Sequence, residues 1–301
     1  MKKETISVCI PTFKRPLLLE RLLISIREQQ TLGEFNVSIV VVDNDRDGSA
    51  RETVRKFARG RMRVCYENEP VQNISLARNR AVLLSRGEYV AFIDDDEFPQ
   101  KYWLYNHFQM IKKTGADGVL GPVIPHFESG APEWLIKSRI CMRPSYPSGT
   151  LLKASQTRTG NVLFDRRVFT STGLLFDPSY GITGGEDVDF FRRAVKCGLK
   201  FVWCQEASVF ETVPAERWKR FYYVKRAMIR GRVKHYSYQN KNRAERYRAL
   251  VKSIVAFFAY TFSLPVVFTM GERIRMRVID SYFHHAGMLT AALGVRILSR
   301  R

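Results

Sequence analysis

No glycine-rich phosphate cradle occurs in this chain: there is neither a G-x-G-x-x-G after the first apolar run nor a G-x-x-x-x-G-K-[ST] anywhere. Dinucleotide-binding and P-loop readings therefore lack the element that holds their phosphates. Paired cysteines are missing as well. The five cysteines (Cys9, Cys65, Cys141, Cys197, Cys204) are scattered with no C-x-x-C, and Cys9, Cys65 and Cys204 lie inside apolar runs where a thiol behaves as a small hydrophobe. This excludes a paired-cysteine zinc site and points to a reducing compartment. The first residues, MKKETISVCIPTFKRP, carry an apolar run that stops at Pro11, too short for the h-region of a signal peptide. The catalytic part is therefore expected in the cytoplasm, at the inner face of the membrane. Internal repeats and low-complexity tracts are absent. Acidic residues are scarce: 29 Asp plus Glu stand against 49 Lys plus Arg, a formal net charge of +20. Such an excess implies an anionic partner, whether nucleic acid, a membrane surface or a phosphorylated substrate.

What is present is a foldable chain: 301 residues, 45% hydrophobic and 26% charged, enough to bury a large core. From residue 5 to about 124, short β-branched runs alternate with helical patterns. ISVCIP, NVSIVVVD, MRVCYE, EYVAFID and DGVLGPVIP read as strands, and helices are expected over about 16–30, 50–59, 73–86 and 100–113. The first helix carries Leu18, Leu22 and Ile26 at i, i+4 spacing, a buried helical face. VSIVVV is a continuous apolar run, which suits a parallel strand covered on both sides. The alternation predicts an α/β fold with a doubly wound, mostly parallel sheet flanked by helices. Residues 125–158 hold four prolines, little periodicity and a lone Trp134, and read as a long excursion. TGNVLFD, the turn GITGG, the helical EDVDFFRRAVKCG, KFVWCQ and ASVFETV follow.

In an open parallel sheet, ligands bind at the carboxyl ends of the strands. Reading those ends gives Pro11 and Thr12, then Asp43 and Asn44, then Asp94, Asp95 and Asp96 with Glu97 behind them. The acidic quartet in AFIDDDEFP reads either as a polar turn capping the next helix or as a site. Carboxylates repel a diphosphate directly, but through Mg2+ or Mn2+ they can hold one, because hard oxygen ligands bind the cation and the cation binds phosphate oxygens.

At these residues the chain resembles inverting family 2 glycosyltransferases of the GT-A fold, close to bacterial exopolysaccharide and lipopolysaccharide sugar transferases. The resemblance rests on ISVCIPTFKRP, VVVDND, SLARNRAV with GEYVAFIDDDE, and GGEDVDF, in that order, and covers residues 5 to about 213. It implies a Rossmann-like GT-A domain over 1–213 that transfers a sugar from a nucleotide-diphospho-sugar, a UDP-sugar above all, using Mg2+ or Mn2+. By position it implies donor contacts from Pro11, Thr12, Arg15, Arg78, Asp94 and Asp95, and a nucleobase or ribose contact from Asp43. Asp96 matches the metal-contacting aspartate of the D-x-D signature, and Glu211 stands where the family often has a metal-assisting histidine. Asp187 matches the catalytic base, with Gly185, Glu186 and Trp134 expected toward the acceptor. Asp187 follows two glycines at a helix start. A stripe of Val188, Phe191 and Val195 would bury the far side of that helix, and the macrodipole would lower the Asp187 pKa. A sugar nucleotidyltransferase, or a non-catalytic membrane- or RNA-binding protein on the same fold, is the alternative.

Residues 214–301 change character and form the second expected region, a basic and apolar helical extension. Between 214 and 250 there are twelve Lys or Arg against Glu216 and Glu245, interleaved with seven aromatics. SIVAFFAYTFSLPVVFTM, uncharged over 253–270, follows, interrupted by Pro265. Basic residues with aromatics beside an apolar segment match an anionic membrane surface. The absence of RNP-like or helix-turn-helix patterns argues against nucleic acid. A lipid-linked saccharide is the expected acceptor, with an in-plane or re-entrant helix at 253–270.

Overall fold

The computed structural model describes residues 3–59, 62–182, 184–238 and 241–295. In chain order its elements are β1 (Glu4–Thr12), α1 (Pro16–Arg27), β2 (Phe35–Asp43), α2 (Arg51–Phe57), β3 (Arg63–Asn68), α3 (Ile74–Leu84), β4 (Tyr89–Ile93), β5 (Glu97–Pro99), α4 (Trp103–Thr114), β6 (Gly118–Leu120), β7 (Val123–His126), α5 (Glu133–Ser138), β8 (Asn161–Asp165), α6 (Arg167–Thr170), α7 (Glu186–Lys196), β9 (Phe201–Trp203), β10 (Val209–Thr212), α8 (Arg220–Ser237), α9 (Arg243–Val267) and α10 (Glu272–Ala292). They form two compact units, residues 1–126 with 143–212, and residues 127–142 with 213–301.

The first unit is built on a seven-stranded sheet of order β3-β2-β1-β4-β8-β6-β9. Every pairing is parallel except those of β8, which runs antiparallel to β4 and β6. Strand periodicity explains its two cores. Ile6, Val8 and Ile10 point to one face, where they meet Leu19, Leu22, Leu23 and Ile26 of α1 and Phe108 of α4. Cys9, Val40 and Val42 point to the other, packing with Ala77 and Ala81 of α3 and a run of phenylalanines, among them Phe92, Phe164, Phe190 and Phe191. Burying each such side chain stabilises the fold by about 1.5–3 kcal/mol. The doubly wound α/β expectation is met.

Two details depart from the sequence reading. DGVLGPVIP is not one strand: it breaks at Gly121 and Pro122, and β7 joins a small sheet of order β5-β10-β7. The break is a close approach, since a Cβ on Gly121 would lie 2.0 Å from the Ala207 carbonyl oxygen. The residues after β4 likewise do not run straight into a helix. Glu97–Pro99 forms β5 of the small sheet, so the acidic quartet is the crossing point between two sheets.

The second unit gathers α5 with the C-terminal helices, so part of the excursion 125–158 clusters with the basic region. The buried cluster there is Leu135, Tyr223 and Met276. The α8–α10 crossing is glycine-mediated: a Cβ on Gly231 would lie 1.9 Å from the His284 carbonyl oxygen, and one on Gly287 would lie 2.2 Å from that of Met228. Pro265 does not interrupt its helix. It sits in the last turn of α9, a helix of 25 residues that is long and apolar enough to cross a membrane.

Candidate active site

The ends of β1 and β2, the start of α3, and the turn after β4 enclose an open crevice of about 490 Å3. Pro11, Thr12, Arg15, Arg78, Asp94, Asp95 and Asp96 all border it, as do Phe13, Asn44, Gln72, Asn73, Ile74, Gly181 and Ile182. Local sequence places them. Asn73 is the N-cap of α3, its side-chain oxygen accepting from the Ser75 and Leu76 amides at 3.0 and 3.2 Å, and this orients Arg78 one turn later. The Asn73 side chain also donates to the Pro178 carbonyl at 2.9 Å. Gly181 fits against it because a Cβ there would lie 1.7 Å from the Asn73 oxygen. The cap signal was legible in VQNISLARNR; the loop partner was not.

The acidic quartet divides by strand-like alternation. Asp95 and Glu97 point inward, at 5% and 1% exposure. Asp95 accepts from the Thr12 hydroxyl at 2.9 Å, the Phe13 amide at 3.3 Å and Arg15 at 2.8 Å. Asp95 borders the crevice, and its oxygens also hold the end of β1. Glu97 accepts from the Asp94 amide at 3.1 Å, and burial pushes its carboxyl well up. Asp94 and Asp96 are the outward pair. Asp96 meets Arg15 at 2.9 Å, yet burial first, and the Asp94 charge next, lift its carboxyl to about 6.

A buried arginine ties this turn to the helix carrying Asp187. Arg78 donates to Asp94 at 3.4 Å and to the Glu186 carboxylate. Gly184 and Gly185, at φ +80° and +100°, make the entry to α7, a backbone region that disfavours any side chain. The buried face of α7 is Glu186, Asp189, Phe190, Phe191 and Ala194. Of the expected stripe, Phe191 and Val195 face the core, but Val188 does not and is 57% exposed. The macrodipole expectation fails too. Burial raises the Asp187 carboxyl, the Glu186 charge adds to that, and the Val188 amide at 2.7 Å opposes it. Desolvation here outweighs a dipole worth about 0.3–1 kcal/mol at an exposed terminus.

The remaining expected site residues have partners of their own, and Glu211 lies near enough for its charge to act on Asp96. Asp43 is fully buried and accepts from the Ala50 amide at 2.7 Å, the Asp45 amide at 3.2 Å and the Tyr66 hydroxyl at 3.2 Å. It joins β2 to α2, and Asn44 beside it borders the crevice instead. Glu186, expected toward the acceptor, is 7% exposed and faces Arg78. Trp134 belongs to the second unit, where its ring lies under Arg220 at 4.7 Å and edge-on to Tyr223 at 6.1 Å. Glu211, on β10 opposite Glu97, is paired with Arg143.

Asp94 and Asp96 suit a hard divalent cation. They are neighbouring oxygen donors, and the Asp94 charge adds to the burial that raises the Asp96 carboxyl, both of which a dication offsets. Among the described residues no group of three or more His, Cys, Asp or Glu is poised to hold a metal, so this pair would be the protein's share of the coordination.

The sequence pattern of glycosyl transferase family 2 matches residues 7–173. Succinoglycan biosynthesis protein ExoM of Rhizobium meliloti (strain 1021) is 30% identical over 304 residues, covering 98% of this chain and 96% of its own. The crystal structure of S. aureus TarS 1-349 in complex with UDP superposes with a TM-score of 0.56 at 15% identity, over 96% of this chain and 92% of that one. GalNAc-T7 with UDP, GalNAc and Mn2+ gives 0.55 at 17% identity, over 73% of this chain and 46% of that one.

Proposed function

This chain belongs to glycosyl transferase family 2, and from that premise we propose a metal-dependent, inverting transfer of a sugar from a UDP-sugar to a lipid-linked saccharide of envelope polysaccharide assembly, at the cytoplasmic face of a membrane. The observation that carries it is the crevice at the strand ends, where outward Asp94 and Asp96 are set among the cations Arg15 and Arg78. The UDP and Mn2+ of solved structures with this fold and the succinoglycan role in the name of ExoM support the choice of donor, metal and pathway.

Pro11, Thr12 and Arg15 would bind and orient the nucleotide, and Asp96 with Asp94 would hold Mg2+ or Mn2+. When bound, the cation neutralises the charge that grows on the departing diphosphate. Asp187 accepts the proton of the acceptor hydroxyl. That oxygen forms its bond to the anomeric carbon on the face opposite the diphosphate, which leaves with the electron pair of the breaking bond, and configuration inverts. The raised Asp187 carboxyl makes it a better base than a free aspartate.

The second unit supports the membrane part of this reading. α9 exposes Val251, Ile254, Val255, Phe258, Phe262 and Val266, an i, i+3, i+4, i+7 face. Its other side packs on α10 through Phe257 with Tyr282 and Ser253 with Met288. A helix occupied on one side and apolar on the other suits in-plane burial in lipid.

The test is transfer from a panel of nucleotide-sugars to lipid-linked acceptor, with and without EDTA. UDP-sugar binding, followed calorimetrically, is expected to be lost on chelation and in Asp96→Ala protein. Sugar transfer that persists undiminished in Asp96→Ala overturns the metal-dependent mechanism.

A further inference from the structure

Arg78 is 5% exposed and shared between two carboxylates on different elements, Asp94 after β4 and Glu186 at the start of α7. Its guanidinium lies 5.6 Å from the Phe176 ring centre, and its Nε is buried with no hydrogen-bond partner among the described residues. The cation is held by these neighbours: burial works against it, and the charges of Asp94 and Glu186 more than offset that.

The chain before α7 is fixed differently. Ser75 donates to the Asp177 carbonyl at 2.9 Å, and the Gly181 carbonyl accepts from the Ile74 amide at 3.2 Å. Beyond them Ile182 is 80% exposed, and Gly184 and Gly185 have open space where a Cβ would stand. The first turn of α7 is thus tied back to the crevice by the Arg78–Glu186 pair, with a glycine turn on its other side. Asp187 is the next residue.

We propose that Glu186 is a positioning residue which, through Arg78, couples occupation of the donor crevice at Asp94 to the placement of Asp187. A ligand that takes up the charge of Asp94 leaves Arg78 to Glu186 alone, and this tightens the first turn of α7. The base is then set for proton transfer only when a donor is present, which limits loss of the sugar to water. The inference rests on the donor reading above and adds a role that direct acceptor contact would not give to Glu186.

Glu186→Gln keeps the size and an acceptor oxygen while removing the charge. It is expected to lower kcat about tenfold or more, with the donor KM changed by less than about threefold. Glu186→Asp, which retains the charge at shorter reach, is expected to recover part of kcat. A second readout needs no turnover: UDP with Mn2+ slows amide hydrogen exchange over residues 184–188 in the wild-type protein and fails to do so in Glu186→Gln. Should that variant not fold with Arg78 left to Asp94 alone, the double variant Arg78→Gln, Glu186→Gln removes both charges and is expected to show the same missing protection. Wild-type kcat, or retained protection, in the charge-free variant overturns the coupling alone. No UDP-dependent protection in the wild-type protein overturns the donor reading and the coupling together.

Discussion

Asp187 stands one residue inside a helix start, in a position that local rules assign a lowered pKa, and burial beside Glu186 raises it instead. Two consequences follow at this scale. The proton-accepting form is lost as pH falls through the raised value, so the acid limb of the kcat profile is expected above the ordinary aspartate value of about 3.9. A carboxyl whose folded pKa exceeds its unfolded value also binds protons more tightly when folded. Its ionised form therefore costs stability at neutral pH, and that cost disappears on acidification through the folded pKa. Asp187→Asn is accordingly expected to slow transfer by about 10²–10⁴-fold without lowering the melting temperature at pH 7.5. A fall in both would show Asp187 to be a structural residue. Residue order alone singled out Asp94, Asp96 and Asp187 as candidates. The inward turn of Asp95 was not legible there, because it depends on Thr12 and Arg15, about eighty positions away in the chain.

The element that most departs from its pattern is α7. Its sequence EDVDFFRRAVK permits two apolar stripes, and Val188–Phe191–Val195 is as regular as the Phe190–Phe191–Ala194 face that is buried. The choice is made by the phenylalanine cluster, in which Phe190 stacks on Phe176 at 4.4 Å and Phe191 on Phe164 at 5.8 Å. Val188→Lys is expected to change unfolding free energy by no more than about 0.5 kcal/mol, whereas Phe191→Ala should cost about 3–5 kcal/mol. Urea denaturation of the two variants checks the phase, and equal losses would restore the Val188 stripe. α9 shows the opposite relation between pattern and structure. Its composition announced an apolar segment, but Pro265 suggested a break that the helix does not make: it stands in the last turn, and α9 runs two residues past it.

Over the whole molecule, the +20 charge and the acidic crevice are separate devices. Twelve cations lie between 214 and 250, and under the proposed membrane reading six exposed apolar residues of α9 would offer the hydrophobic share of a lipid contact. The protein is expected to float with vesicles containing phosphatidylglycerol and much less with phosphatidylcholine alone. Raising salt from about 0.1 to 0.5 M should weaken this, because the Debye length shortens well below 10 Å. Replacing Phe258 and Phe262 by Ser should reduce partitioning at least tenfold, since each ring contributes on the order of 1.5–3 kcal/mol when buried. Vesicle binding unaffected by both changes would remove α9 from the membrane contact.

The sequence by itself determined the α/β class, the parallel sheet buried on both faces and the run of polar strand ends, because these follow from periodicities of two and 3.6 residues and from where apolar runs stop. It also carried the family. Only the tertiary structure decided that Asp43 is spent on the β2–α2 junction, that Glu186 faces Arg78, and that Glu211 pairs with Arg143. Each of these turns on which oppositely charged or donating group meets a buried carboxylate. Such partners lie between two and 108 positions away, and at the longer separations spacing along the chain carries no signal.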